Sequence, residues 1–170
     1  MLICADWDSI EHHQKFINSD IYKPFFAHAA PIFDLNTPPL LYHVNFMSPP
    51  PKPFKVGPVV EIVTFMLPQD LSSSDAAKVE LLAKNCIDVF SKAKGGPNSI
   101  DGGWVIEGEL ENPAAKGTKA KPFTFALAWD SVEHHMQFRT TEAFTEGLGE
   151  LKTNYVIGLW VGHVKLIPAE

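Results

Sequence analysis

The sequence has few cysteines, no excess of basic residues and no apolar run longer than a strand. Its two cysteines, Cys4 and Cys86, lie in apolar segments without metal-site spacing, so we expect reduced, packed thiols. With 14 basic and 20 acidic residues, the net charge of -6 argues against nucleic acid as a partner. No basic segment leads into a hydrophobic one at the N-terminus, so we expect neither a signal peptide nor a membrane span. A cytoplasmic protein is therefore the default expectation.

The sequence does contain one ten-residue stretch twice. Residues 7–16 read WDSIEHHQKF and residues 129–138 read WDSVEHHMQF, with seven of the ten positions identical. Each copy follows a short apolar run, and each precedes, by about thirty residues, an apolar segment with a single histidine, His43 or His163. The chain therefore uses one supersecondary unit twice.

The first copy lies in residues 1–47, for which the pattern predicts strand, helix and strand. Residues 2–7 are predicted to form the first strand and residues 40–46 the second. Asp8, with Glu11 three residues later, has the spacing of a capping box at the start of the helix. Pro24 should split this helix near residues 19–23.

Residues 48–58 contain five prolines and a glycine, which predicts a stiff, extended linker between the units. Residues 59–170 have the pattern of a complete βαββαβ unit. Its predicted elements are strands 59–67, 103–110, 123–129 and 156–167, a helix from residues 72–75 to about Lys94, and a helix from the second copy to about Leu151. Residues 112–122 are expected to form an exposed hairpin loop. The first unit matches only the latter half of this pattern, so the chain either has one and a half units or lacks an upstream segment.

In this order of elements, with the Trp-Asp-Ser-x-Glu-His-His run between third strand and second helix, the chain resembles the dimeric α+β barrel superfamily. Its antibiotic-biosynthesis-monooxygenase-like branch, in the tandem form found in fungi, is the most similar. The resemblance implies an α+β fold of ferredoxin-like type, with four-stranded antiparallel sheets paired into a barrel and helices outside. It also implies a pocket between sheet and helices. Six predicted strands, against eight in a closed barrel, imply a homodimer through sheet faces or edges.

Six of the seven histidines fall at equivalent positions in the two units. With 100° between successive helical residues, His13 and its equivalent His135 lean inward, whereas His12 and His134 point outward. We expect His13 and His135 to line an apolar pocket as general bases. His43 and His163, on the closing strands, would orient a substrate or stabilise an oxyanion.

Aromatic residues near these histidines would form the walls of a substrate site. They are Trp7, Trp129, Phe16, Phe138, Tyr42 and Trp160. The alternative is structural: the tryptophans anchor the core, and the histidines hold strand to helix through hydrogen bonds. Metal binding is a third possibility, because a His-His pair, a strand histidine and a nearby glutamate are suitable ligand types. The spacing matches no helix-borne metal motif, so we expect no metal and no tightly bound cofactor.

The function that the resemblance implies is that of a small enzyme acting on a hydrophobic aromatic or polyketide-like molecule. A histidine base would initiate either oxygenation by dioxygen or cyclisation, as in the cofactor-free monooxygenases and polyketide cyclases of the superfamily. The alternative is a non-catalytic barrel protein that binds small apolar ligands or assembles through its sheets. The sequence does not decide between them.

Overall fold

A computed structural model describes residues 3–33 and 40–166, and the chain divides into two compact units, Met1–His43 and Val44–Glu170. The described part of the first unit is helical. Helix α1 spans Ile10–Ile17, helix α2 spans Tyr22–Ala29, and a 3-10 turn follows at Ala30–Ile32. The break between α1 and α2 confirms the predicted split, since Pro24 lies in the first turn of α2, where its missing N–H costs nothing.

Three predictions for the first unit are wrong. Residues 3–7 do not form a strand, because no other strand of the described residues pairs with them. Ser9, not Asp8, caps α1: Ser9 has extended backbone angles, and its hydroxyl accepts a hydrogen bond from the His12 N–H at 3.1 Å. The Asp8 carboxylate instead lies 3.1 Å from the His12 ring. Cys4 is exposed rather than packed.

The second unit is built on one antiparallel sheet. Its strands are β1 (Val44–Phe46), β2 (Val59–Leu67), β3 (Ser99–Val105), β4 (Leu110–Glu111), β5 (Lys119–Trp129) and β6 (Gly158–Lys165). The order across the sheet is β1-β3-β5-β2-β6, and β4 pairs with the start of β5. The central part β3-β5-β2-β6 is the strand order of a ferredoxin-like βαββαβ unit. The predicted fold class is confirmed.

Four helices belong to the second unit. They are α3 (Pro53–Val56), α4 (Ser73–Lys92), α5 (Val132–Phe138) and α6 (Glu142–Asn154). Helix α3 lies where an extended linker was predicted, because Pro53 occupies a first-turn position, where proline is favourable. The single helix predicted from the second copy is two helices, since Thr141 caps α6 by accepting a hydrogen bond from the Phe144 N–H at 3.3 Å.

Several other strands of the second unit begin or end at residues different from those predicted. Strand β3 begins and ends about five residues before the predicted 103–110. Strand β5 begins at Lys119, inside the predicted loop, because its first residues pair with β2 beyond the Phe65–Phe123 pair and with β4. Only Val44–Phe46 of the strand predicted at 40–46 pairs, with β3.

The main core lies between the sheet and α4, α5 and α6. Its largest buried side chains include Trp129, Phe123, Phe138 and Leu67, and α4 contributes Phe90. A smaller apolar cluster around Val60, Ile62 and Ala126 lies on the opposite face of the sheet. Strand alternation therefore places the odd-numbered residues of β2 on the helix-covered face. Among the described residues, no helix has the length and apolar character that crossing a membrane requires.

Candidate active site

The junction between β5 and α5 positions the first imidazole. Ser131, two residues after the strand ends at Trp129, is extended, and its hydroxyl accepts a hydrogen bond from the His134 N–H at 3.1 Å, so that the helix begins at Val132. One helical turn on, His135 points back over the sheet, where it stacks on the Trp129 ring with centroids 4.9 Å apart. Only 4% of His135 is exposed.

The second imidazole comes from β6. In the sheet, His163 lies directly opposite Glu61 of β2, so both side chains leave the sheet on the helix-covered face. The Nε2 atom of His163 is 2.8 Å from Nδ1 of His135, a hydrogen-bond distance. His163 is partly exposed, so it is the member of the pair that an external molecule can reach.

A buried carboxylate completes the arrangement. Glu61, 4% exposed, accepts a hydrogen bond from the Trp129 indole N–H at 3.1 Å. The same carboxylate oxygen lies 3.4 Å from Nε2 of His135. The three side chains therefore form a chain with His135 in the middle. One ring nitrogen of His135 lies near the Glu61 carboxylate, and its other ring nitrogen lies near the His163 ring.

Burial shifts the pKa values of these groups. Desolvation raises the pKa of Glu61 from 4.5 to about 7, although the Trp129 hydrogen bond and Arg139 oppose it. Burial, with smaller effects of His163 and Arg139, lowers the pKa of His135 from 6.5 to about 4. The pKa of His163 is also lowered, chiefly by burial. Near neutral pH both imidazoles are therefore neutral, while Glu61 exchanges a proton readily.

The first unit contains the same pair of rings. Nδ1 of His13 lies 2.7 Å from Nε2 of His43, and the His13 ring stacks on Trp7 with centroids 4.5 Å apart. Burial and His43 lower the pKa of His13, which is 9% exposed. Within residues 3–33 and 40–43 no strand corresponds to β2, so none of these residues occupies the place of Glu61.

The predicted aromatic walls have different surroundings. Phe16 packs against Trp7 with centroids 5.4 Å apart, while Trp129 and Phe138 are buried in the core of the second unit. Tyr42 is partly exposed. Trp160 is 44% exposed and points to the sheet face opposite His163.

The ring pairs His135–His163 and His13–His43 are the two dyads of the protein. The outward-pointing histidines, His12 and His134, belong to neither. His12 is exposed and lies beside Asp8. The Nε2 atom of His134 lies 3.1 Å from the backbone carbonyl of Gly95. Among the described residues, one surface depression follows the outer side of α5, near Val132 and Met136, and another lies near Asp101. Neither is lined by His135 or His163.

Sequence reasoning missed Glu61. One signal was available: Glu61 is the only charged residue in the apolar strand VVEIVTFML, and alternation assigns it to the same face as Val59 and Val63. A buried acid in such a position needs a partner. The identity of that partner depends on strand register, which the pattern of one strand does not contain.

No model of a known protein family matches the chain, and no curated protein matches its sequence. Among solved structures, the chain is similar to a proposed monooxygenase from Fusobacterium nucleatum, at 9% identity and a TM-score of 0.56, and to one from Lactobacillus acidophilus, at 11% and 0.53. These matches cover 94% and 91% of this chain, which spans only 65% and 64% of the two proteins. A dimeric protein of ferredoxin-like fold from Bacteroides fragilis matches over 64% of this chain and 95% of its own length, at 16% identity and a TM-score of 0.49.

The chain has a ferredoxin-like fold. At such low identity the likeness establishes the fold alone, and that fold is the one the resemblance implied. The tandem, fungal-type character stays a prediction.

Proposed function

We propose that the protein is an enzyme that removes a proton from a hydrophobic phenolic or enolisable substrate, without a tightly bound cofactor. The observation that carries the proposal is a chain of contacts: partly exposed His163 lies at hydrogen-bond distance from buried His135, whose second ring nitrogen lies 3.4 Å from the buried carboxylate of Glu61. A base presented at a surface and connected to a buried proton acceptor is an arrangement suited to general base catalysis.

The proton would move along this chain in three linked transfers. His163 takes the substrate proton on its outer nitrogen, Nδ1, and passes its Nε2 proton to Nδ1 of His135. His135 in turn passes its Nε2 proton to the carboxylate of Glu61, whose pKa of about 7 suits it to hold a proton near neutral pH. The substrate anion that remains would react with dioxygen, in an oxygenation, or close on an internal carbonyl, in a cyclisation.

This assignment reverses the roles predicted for the two histidines of each pair. His135 was expected to touch the substrate, but it is 4% exposed and its two ring nitrogens face His163 and Glu61. The strand histidine, His163, is the more accessible ring. We propose that His43 acts in the same way in the first unit, with His13 behind it at 2.7 Å.

Activity on a panel of naphthols, anthrones and 1,3-diketones would test the proposal, with oxygen consumption and product formation as readouts. We expect His163→Ala to lower turnover by roughly 100-fold or more, the usual contribution of a general base. Because the first unit would retain its own dyad, the background variant carries His43→Ala. His134→Ala is the matched control, since its ring contacts Gly95 and not the dyad.

Glu61→Gln tests the buried end of the chain as a positioning and proton-accepting residue. We expect a smaller loss of turnover, roughly 10-fold, and a changed pH profile, because glutamine cannot take up the proton. Turnover that is equal in the His163, Glu61 and His134 variants would refute the enzymatic role.

The second candidate is a non-catalytic barrel protein that binds small apolar ligands or assembles. It is favoured by one observation: Trp129 and Phe138 are buried in the core instead of lining an open cavity. Ligand binding without turnover on the same panel would support this alternative.

We also propose that the chain forms a homodimer through the edge of its sheet. Strand β6 pairs only with β2 in the described sheet, and Leu159, Trp160 and Val161 are each more than two-fifths exposed along it. Adjacent exposed apolar side chains on an unpaired strand edge are favourable for association with a second copy.

A further inference from the structure

Two imidazoles and one carboxylate converge at the site described above. One ligand atom from each of Glu61, His135 and His163 lies within 4.8 Å of the other two. The closest separations are 2.8 Å between the two ring nitrogens and 3.4 Å between His135 and Glu61. Ligand atoms bound to one zinc ion at about 2.0–2.2 Å lie roughly 3.3–3.5 Å apart in a tetrahedral site. The two short distances use different nitrogens of His135, Nδ1 toward His163 and Nε2 toward Glu61, so an ion would bind one of these nitrogens and the remaining ligand would move toward it by side-chain rotation.

We propose that Glu61, His135 and His163 form a binding site for a divalent transition-metal ion, of which Zn²⁺ is the best fit. Two neutral imidazoles and a carboxylate are ligand types that zinc binds, and three protein ligands leave the fourth position open. The Trp129 indole, which donates to Glu61 at 3.1 Å, would act as the outer-shell donor that orients the carboxylate.

Backbone geometry supports the site at two of the three positions. Glu61 and His163 are directly opposed residues of paired strands, so the sheet fixes the distance between their side-chain origins. His135 is held by the Ser131 cap and by stacking on Trp129. A metal ion at this place therefore requires the movement of side chains only.

The ion would compete with the proton that the two rings share. Zn²⁺ needs one ring lone pair of His135, and both nitrogens of that ring belong to the relay, one facing His163 and the other Glu61, so metal binding and the proton relay exclude each other. The binding proposal does not rest on the proposed reaction, because it depends only on the geometry of three side chains. If the reaction is as proposed, Zn²⁺ is an inhibitor of the second unit.

Calorimetric titration of the chelator-treated, full-length protein with ZnCl₂ tests the site. We expect one tight site. His163→Ala removes a ligand and should lower the affinity for Zn²⁺ at least about 100-fold, since loss of an outer-shell group alone typically lowers metal affinity 10–100-fold. Glu61→Gln keeps an acceptor for Trp129 and is expected to weaken binding roughly 10-fold or more. Thermal unfolding with and without Zn²⁺ gives a second readout, since an ion that binds the folded state raises the midpoint.

Matched controls separate this site from other zinc-binding groups of the chain. His134→Ala and Cys4→Ser should leave the tight site unchanged, because neither residue is one of the three ligands: the His134 ring lies against the Gly95 carbonyl, and Cys4 is an exposed free thiol. The dyad of the first unit is tested by His43→Ala in the same way. Substitution with Co²⁺ should give visible bands typical of nitrogen and oxygen ligands, without the thiolate charge-transfer band that Cys4 would produce.

The proposal is overturned if no stoichiometric Zn²⁺ binds, or if His163→Ala binds it as tightly as the unaltered protein. A thiolate band in the Co²⁺ spectrum would also overturn it. These outcomes concern binding alone, so they leave the test of turnover independent: a protein can lose the metal site and keep the general base.

Discussion

Glu61→Gln should change how the stability of the protein depends on pH. In the folded state Glu61 keeps its proton up to about pH 7, whereas a glutamate in the unfolded chain loses it near pH 4.5. Between these values the folded state binds more protons, so the contribution of Glu61 to stability is present below pH 4.5 and is lost as the pH rises through 7. The displacement of the pKa corresponds to roughly 3 kcal/mol.

Glutamine has no proton to lose, so the stability of the Glu61→Gln protein does not show this decline with rising pH. The free energy of unfolding of the variant, relative to the unaltered protein, should therefore increase by roughly 3 kcal/mol between about pH 4.5 and pH 7.5. His135 acts in the opposite direction: its pKa is lowered to about 4, so its contribution is present above pH 6.5 and is lost as the pH falls. In the unaltered protein the effects of Glu61 and His135 oppose each other in mildly acidic solution, and the variant should reveal the combined effect of the buried histidines, since the pKa values of His163 and His13 are lowered as well.

Urea unfolding at pH values from about 5 to about 8, followed by circular dichroism in the presence of a chelator, measures this difference. Glu150→Gln is the matched control, because Glu150 is exposed on α6 and the same chemical change is made there in contact with water. A difference between Glu61→Gln and the unaltered protein that stays constant over this range would refute the reasoning, since Glu61 would then titrate like an exposed glutamate.

Three further predictions test packing, capping and assembly. Gly147→Ala should destabilise the protein by about 1–3 kcal/mol, because the new methyl group would lie 2.5 Å from the Phe90 ring. Gly149→Ala on the same helix should be neutral or slightly stabilising, because nothing lies within 4 Å of its new methyl group. Equal melting temperatures of the two variants would contradict this prediction. Ser131→Ala should cost about 1 kcal/mol in urea unfolding, since α5 loses its cap; no change would show that the cap is dispensable. Trp160→Lys should shift the protein from dimer to monomer in light scattering, whereas an unchanged mass would place the interface elsewhere.

The repeated stretch made part of the site predictable. A serine cap and two adjacent histidines are local features, and local geometry directs the second histidine inward in both copies: His13 and His135 are buried, as helical periodicity predicts. The ferredoxin-like order of elements was likewise readable, because alternation and helical periodicity depend on residues close in sequence. The residue that caps α1 could not be predicted, since Asp8 and Ser9 are both good capping residues and only the backbone angles distinguish them.

The partners of the inward histidines depended on tertiary structure. Glu61 is 68 residues from Trp129, the residue that donates to its carboxylate, and only the register of β2 with β5 and β6 brings them together with His163. A shift of one residue in either pairing would turn Glu61 or His163 to the opposite face of the sheet. The sequence by itself determined the fold class, the duplication and the inward direction of His13 and His135. The tertiary structure decided that these rings face other rings, and in one unit a buried acid, because strand pairing joins residues that no local pattern relates.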